Sequence, residues 1–375
     1  VGHCVPTVFN RKLPKGGTAW LLTSPRGWST LARFMWLLNP LEIVWRFATA
    51  PWRTLPDVYI LGEVRCGTTT TAAYLERAKG VRGPFCPWIH PLGDKESFYF
   101  VGHYRGFVHP YFYRMCFPLQ AAKWFHKRIL RRPFVCYDGC AQYLTAPWVP
   151  RLIRAATPAA RLIVCVRDPV LQNVSWWRFE QAAMAWGESL HIPGPFGRSP
   201  APGVRSPYPP ADFLTAVRRS QGEVDEAYAR AATLAGPWLP CWAISWPDGQ
   251  LSSFAKNGRF VDNILRYTSY FKREHICVLE VGDLKMGCQV VMRRVSAQLG
   301  LDLQFPQDDI SAGEPIVLQE NRSTALGDDL EPDSECLREL GSFYFQHNLR
   351  LYEFLERDLG WHHAEHYAHK RKVAS

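Results

Sequence analysis

The chain has 375 residues, 47% hydrophobic and 21% charged, which excludes a disordered polymer and allows one large α/β domain or two ordinary ones. Its net charge of +10 suits an anionic partner: a nucleotide, an acidic polysaccharide, nucleic acid or a lipid surface. Eleven scattered cysteines, with no Cys-x-x-Cys pair and no Cys/His spacing of a zinc site, argue against a metal centre and leave disulfides open.

Residues 1–50 read as a basic, aromatic extension. No acid precedes Glu42, while Arg11, Lys12, Lys15, Arg26 and Arg33 do. The apolar run from Leu31 to Ala50 is interrupted by Arg33, Pro40, Glu42 and Arg46. That is too broken for a spanning helix, which needs about 20 nearly uncharged apolar residues. A pair of amphipathic helices packed on the domain or lying on a membrane fits the pattern, as does a basic targeting remnant.

Residues 51–375 read as one domain. Val58–Leu61, Phe134–Tyr137, Arg161–Val166 and His275–Glu280 are short apolar runs with the character of buried strands. Helical patterns begin near Thr68, Pro147, Pro169 and Phe260, and continue over Gln289–Leu299 and Ser334–Leu359. The alternation predicts an α/β fold of three layers, a central parallel sheet flanked by helices. Between Ser97 and Tyr137 there is no acid, and Arg105, Arg114, Lys123, Lys127, Arg128, Arg131 and Arg132 build a basic stretch. It fits an anion-binding surface or an ordinary solvated face. Residues 187–210 hold seven prolines and four glycines, so they are expected to form a long surface loop over the site.

The strand at Val58–Leu61 runs into Gly62-Glu63-Val64-Arg65-Cys66-Gly67-Thr68-Thr69 and then a helix. Strand, glycine turn and helix N-terminus together aim backbone N–H groups at a phosphate. The Gly-x4-Gly spacing is that of a P-loop, but Thr68 stands where a nucleotide triphosphatase has Lys, which disfavours ATP or GTP hydrolysis. Cys66 is read as a small loop residue. The second segment, Arg161 to Pro169, is a strand ending in Arg167 with Pro169 at a helix start, and Ser175 follows eight residues after Arg167. An Arg at a strand end and a Ser on the adjoining helix can hold a second phosphate; an Arg–Asp surface pair with a helix Ser is the plainer alternative.

Taken together, the two segments resemble the 5′-phosphosulfate loop and the 3′-phosphate motif of sulfotransferases that use 3′-phosphoadenosine 5′-phosphosulfate (PAPS). The likeness is nearer to the carbohydrate branch, heparan and chondroitin sulfotransferases, than to the cytosolic small-molecule branch. It implies a P-loop-like fold with PAPS at the carboxyl ends of the strands, no metal, and transfer to a hydroxyl of a carbohydrate or other alcohol. On this resemblance Arg65, Cys66, Gly67, Thr68, Thr69 and Thr70 surround the 5′ end, and Arg167 and Ser175 take the 3′-phosphate. Lys95-Glu96-Ser97-Phe98-Tyr99-Phe100 is similar to a Lys/Asn-Glu-x-x-Phe-Phe segment, which makes Glu96 the general base and Arg65 the stabiliser of the leaving phosphate. Asp138, Tyr143 and Arg259 (in Gly258-Arg259-Phe260) are implied on the acceptor side, and Arg322 in a late loop that closes on the nucleotide.

Two departures stand out. Arg65 replaces the family's usual loop Lys, and Gly139 stands where the heparan branch has a second Lys. The first change is chemically tolerable, because the leaving phosphate has a pKa near ~6 and needs charge more than a proton. His90, His103 and Asp94, with Asp138, are reserve bases. A Golgi or membrane-associated location is favoured by the resemblance, a cytoplasmic one stays open, and nucleic acid is not an expected partner. The rival readings are a P-loop-type small-molecule kinase, with Asp168 as its metal ligand, and a non-catalytic binder of anionic glycan.

Overall fold

The computed structural model describes residues 40–85, 95–101, 110–176, 258–305 and 334–361. Five strands form one sheet: β1 (Val58–Leu61), β2 (Val81–Arg82), β3 (Val135–Asp138), β4 (Arg161–Val166) and β5 (Ile276–Glu280). Their spatial order is β2-β3-β1-β4-β5, and every pairing is parallel. The fold is the expected central parallel sheet with flanking helices. Parallel strands covered on both faces are apolar throughout. β1 is buried at all four positions, and in β4 only Arg161 is not fully buried. Ile163 has no exposed surface, and trimming it to Ala would cost about 2–5 kcal/mol.

The flanking helices are α1 (40–48), α2 (Thr68–Glu76), α3 (Pro110–Met115), α4 (Gln120–Arg128), α5 (Val149–Ala156), α6 (169–176), α7 (Phe260–Thr268), α8 (Cys288–Leu299) and α9 (Ser334–Leu355). β3 runs one residue later than expected and takes in Asp138, and β5 begins at Ile276 because His275 closes a 3-10 turn. Helix α9 stops at Leu355, where Glu356 takes φ 50°. Of the apolar run before residue 51, α1 is the described part; it anchors through Arg46 Nη1 donating to the Met115 carbonyl at 2.7 Å. Among the described residues no helix is long and apolar enough to cross a membrane. Residues 187–210 lie outside the described residues, as does Arg322.

Strand order decides where a ligand goes. The chain leaves β1 toward β2 on one side of the sheet and leaves β4 toward β5 on the other. Between two neighbouring strands whose exits diverge, a crevice opens at their carboxyl ends. The phosphate loop follows β1, and Arg167 follows β4, so both sequence motifs border this crevice. Eight cysteines of the described residues, Cys136, Cys165 and Cys277 of the sheet among them, are buried free thiols.

Candidate functional site

The phosphate loop needs both of its glycines. A Cβ on Gly62 would stand 2.8 Å from Thr68 Cγ2 and 3.0 Å from the Cys165 carbonyl oxygen. Gly67 caps α2 in the left-handed region at φ 83°, and a Cβ there would meet Leu284 Cδ1 at 2.7 Å. Between them Arg65 also takes a left-handed backbone, φ 70°. For a residue with a Cβ that conformation costs on the order of 1 kcal/mol, and such strain gathers at functional sites. Thr68, Thr69 and Thr70 form the first turn of α2, whose amides point out of the helix end toward the crevice. Cys66 packs inward from the turn. It is wholly buried, burial holds its thiol well above the usual range, and its N–H donates to the Glu63 carbonyl at 3.1 Å. That amide serves the turn, not a ligand.

The second motif joins the first directly. Arg65 Nε donates to Ser175 Oγ at 3.0 Å, and Arg167 Nη1 donates to the Arg65 carbonyl at 3.0 Å. Gln172 Nε2 adds a bond to the Val64 carbonyl at 2.9 Å, so α6 is stitched to the loop along its length. Asp168 starts α6. Its Oδ1 accepts the N–H groups of Val170 at 3.0 Å and Leu171 at 3.3 Å, with Pro169 in the first turn. The residue that a kinase would offer to Mg²⁺ is therefore buried as a helix cap. Two guanidinium groups meet at this junction, and burial, then the charge of Arg167, push Arg65 below its ordinary pKa.

Lys95 and Glu96 approach from the other side of β1. Lys95 Nζ lies 3.4 Å from Thr68 Oγ1, donates to the Gly139 carbonyl at 3.1 Å and pairs with the Glu96 carboxylate. The Gly139 N–H in turn donates to the Lys95 carbonyl at 2.9 Å. Glu96 is thus tied to the phosphate loop through its neighbour. Lys95 was not singled out from the sequence as a site residue. The signal was present, since it opens the Lys95–Phe100 segment, but nothing in the spacing shows that its ammonium crosses to Thr68.

Asp138 and Tyr143, expected on the acceptor side, are buried next to the segment that carries Glu96. Neither has exposed surface. The Asp138 carboxylate accepts the Ser97 N–H at 3.1 Å, the Ser97 hydroxyl at 2.7 Å, Tyr113 at 3.0 Å and Tyr143 at 3.1 Å. Burial still outweighs these four donors and pushes its pKa up to about 6. This hub clamps Ser97 and so holds Glu96 next to it; Phe98, at φ 53°, completes the sharp turn.

Arg259, expected on the acceptor side, forms an ion pair. Its Nε donates to Asp262 at 2.9 Å, in a cluster that includes His347 at 3.0 Å and Arg350 at 2.7 Å from the same carboxylate. These contacts bind α7 to α9 and hold Asp262 well below its usual pKa, against the opposing effect of burial. The basic stretch is divided as well. Arg114 donates to the Arg53 carbonyl at 2.9 Å and Lys123 pairs with Asp57 at 2.6 Å, while Lys127, Arg128, Arg131 and Arg132 are exposed. Arg105, with His90, Asp94 and His103, lies outside the described residues.

No family model matches the chain, and no curated protein matches it. Among solved structures it is similar to a sulfotransferase from Alicyclobacillus acidocaldarius, at 18% identity and a TM-score of 0.48, covering 83% of this chain and 100% of that one. It is also similar to a sulfotransferase domain from the curacin biosynthetic pathway, at 13% identity and a TM-score of 0.36, covering 82% of this chain and 99% of that one. A reading of function stands on the residues of the site itself.

Proposed function

We propose that this chain is a sulfotransferase that moves the sulfuryl group of PAPS onto a hydroxyl of an acceptor. The observation that supports this reading is the junction of two motifs 102 residues apart: Arg167 on the Arg65 carbonyl and Arg65 on Ser175. One pocket for each end of a doubly phosphorylated nucleotide, sharing a wall, is what such a donor requires. The residues fit it, since the charge of Arg167 acts on Arg65 at the same junction and the glycine turn leads into the N-terminus of α2, whose first-turn amides suit a phosphate.

When bound, PAPS supplies a sulfuryl group on a 5′-phosphate that is a stable leaving group. Arg65 and the first-turn amides of α2 meet the 5′ end, and Arg167 with Ser175 meets the 3′-phosphate. Glu96 takes the proton of the acceptor hydroxyl as its oxygen bonds to sulfur. The bond from sulfur to the 5′-phosphate oxygen breaks, and its electron pair stays on that phosphate, which Arg65 steadies.

A kinase is the second reading, and one observation favours it: the ammonium of Lys95 reaches Thr68, the loop position where a triphosphatase carries its own Lys. The capping role of Asp168 counts against it. Calorimetric titration with adenosine 3′,5′-bisphosphate and with ATP separates the two, together with transfer from labelled PAPS to glycans, phenols and aliphatic alcohols. Saturable uptake of the bisphosphate with transfer of label is the expected result. Phosphoryl transfer from ATP, with no uptake of the bisphosphate, would replace the proposal.

A further inference from the structure

Helix α1 is amphipathic with its faces reversed. Its charged side chains turn inward: Arg46 Nε pairs with Glu42 at 2.6 Å, and the guanidinium lies 4.5 Å over the Phe85 ring. Leu41, Val44 and Trp45, spaced as one helical face, turn outward. Leu41 is 71% exposed and Trp45 55%, while Trp52, in the 3-10 turn that follows, is 64% exposed. A helix that meets water turns its apolar face to the core and its charges out. Single exposed apolar residues are ordinary, but a contiguous group of large ones marks an interaction site. Helix α4 shows the same residue types with charge added. None of its residues is buried, Trp124 is 59% exposed, and Phe125 and Ile129 also face solvent. Around them stand Lys127, Arg128, Arg131 and Arg132, all exposed, with no acid anywhere between Ser97 and Tyr137 to offset them. The two segments are joined at their near ends. Arg53, next after Trp52, pairs with Leu119, the residue before α4, in an antiparallel bridge, and Gln120 Nε2 donates to the Arg53 carbonyl at 3.3 Å.

Charge and apolar surface together select the occupant. An acidic polysaccharide would use the cations and leave the tryptophans and Leu41 in water. A second copy in a symmetric pair would set one basic stretch against another. An anionic bilayer takes both kinds of side chain, because Trp and aliphatic groups enter the boundary of the acyl chains while Lys and Arg meet the headgroups. We propose that α1 with Trp52, and α4 beside it, form a docking surface for an anionic lipid bilayer, on which the chain lies without crossing. The absence among the described residues of a helix fit to span a membrane agrees with a surface-bound position. The sheet gives that position a direction. Arg53 leads into β1 and Arg132 into β3, and Lys123 of α4 pairs with Asp57, the residue before β1, at 2.6 Å. Both segments therefore join the sheet at the amino ends of its strands, the end away from the crevice. Docking by this surface leaves the crevice open to molecules arriving from the water.

Sedimentation of the full chain with vesicles tests the proposal. Vesicles of phosphatidylcholine mixed with phosphatidylserine should bind it, and pure phosphatidylcholine should bind it at least about tenfold more weakly. The combined variant Lys127→Gln, Arg128→Gln, Arg131→Gln and Arg132→Gln should bind the mixed vesicles about 10²–10³-fold more weakly, at about fivefold per charge, and the difference should fade as salt is raised. Leu41→Ser with Trp45→Ser should weaken binding about 10–100-fold at every salt concentration, because its loss is apolar. Both variants should keep the wild-type thermal midpoint, since every replaced side chain is exposed. A wild-type chain that binds neither kind of vesicle would overturn the proposal, as would equal binding by wild type and both variants. Retention on heparin without vesicle binding would give the surface to an acidic polysaccharide instead. A concentration-dependent dimer that is lost in the Leu41→Ser, Trp45→Ser variant would give it to a second copy. Uptake of adenosine 3′,5′-bisphosphate is read separately, and its failure would end the sulfotransferase reading while leaving the docking surface in place.

Discussion

The loop after β1 and the carboxylate closing β3 both place polar side chains at the carboxyl edge of one sheet, but under opposite conditions. In the loop, burial and the charge of Arg167 lower the pKa of Arg65, whose Nε donates to Ser175. In the hub, Asp138 is sealed from water and receives four hydrogen bonds from Ser97, Tyr113 and Tyr143. A buried, hydrogen-bonded cluster fixes geometry, while charged groups at a crevice with a depressed pKa are candidates for holding a ligand. Polarity alone does not separate binding residues from structural ones.

Substitutions can break this contrast in either half. Glu96→Gln tests the chemistry that the hub is built to position: turnover should fall about 10²–10⁴-fold, with affinity for adenosine 3′,5′-bisphosphate held within about threefold. Unchanged turnover would remove Glu96 from the role of base. Asp138→Ala strands four buried donors, and a denaturant titration should show a loss of about 3–5 kcal/mol. If the loss were under about 1 kcal/mol, the cluster would not be the structural clamp described here.

The pH dependence of Asp138 sharpens the comparison further. Its folded pKa of about 6 lies above the unfolded value near ~3.9, so the folded state holds the extra proton between those limits. The Asp138 contribution therefore makes the protein less stable as pH rises from about 4 to above 6, by on the order of 3 kcal/mol. Asp262 acts in the other direction, because its depressed pKa stabilises the fold above pH ~4 and that support is lost on acidification. Denaturation of wild type and Asp138→Asn across this range isolates the first effect. Parallel curves would show that the carboxylate does not titrate there.

In the loop half, Arg65→Ala should weaken binding of adenosine 3′,5′-bisphosphate about 10–100-fold, the range for a charged hydrogen bond. Its thermal midpoint should stay nearly level, since the repulsion with Arg167 is removed together with the bond to Ser175, while the left-handed backbone carries the same Cβ penalty in Ala. A large fall in stability with intact binding would reverse the roles assigned to loop and hub.

How much of this was legible in the chain follows the same division. The strands at Val58–Leu61 and Arg161–Val166 were readable because parallel strands buried on both faces are plain apolar runs. The glycine turn from β1 into α2 and the strand end at Arg167 were readable because both are patterns local in sequence. β2 is only two residues long, Val81–Arg82, and carries no periodic signal. The burial of Asp138 was hidden for another reason: Ser97 and Tyr113, two of the residues that cover it, come from segments 41 and 25 positions away. Lys95 was likewise out of reach, since its contact with Gly139 spans 44 residues.

The free thiols of the sheet have a use in following motion. Cys165 and Cys277 are sealed in β4 and β5, and burial raises them to about 12 and about 11, so a thiol reagent finds neither access nor thiolate while the fold is closed. Labelling of these two sulfurs would therefore be timed by the opening of the sheet itself. Slower labelling with adenosine 3′,5′-bisphosphate present would report, without any acceptor, that the nucleotide grips the strands from their carboxyl end.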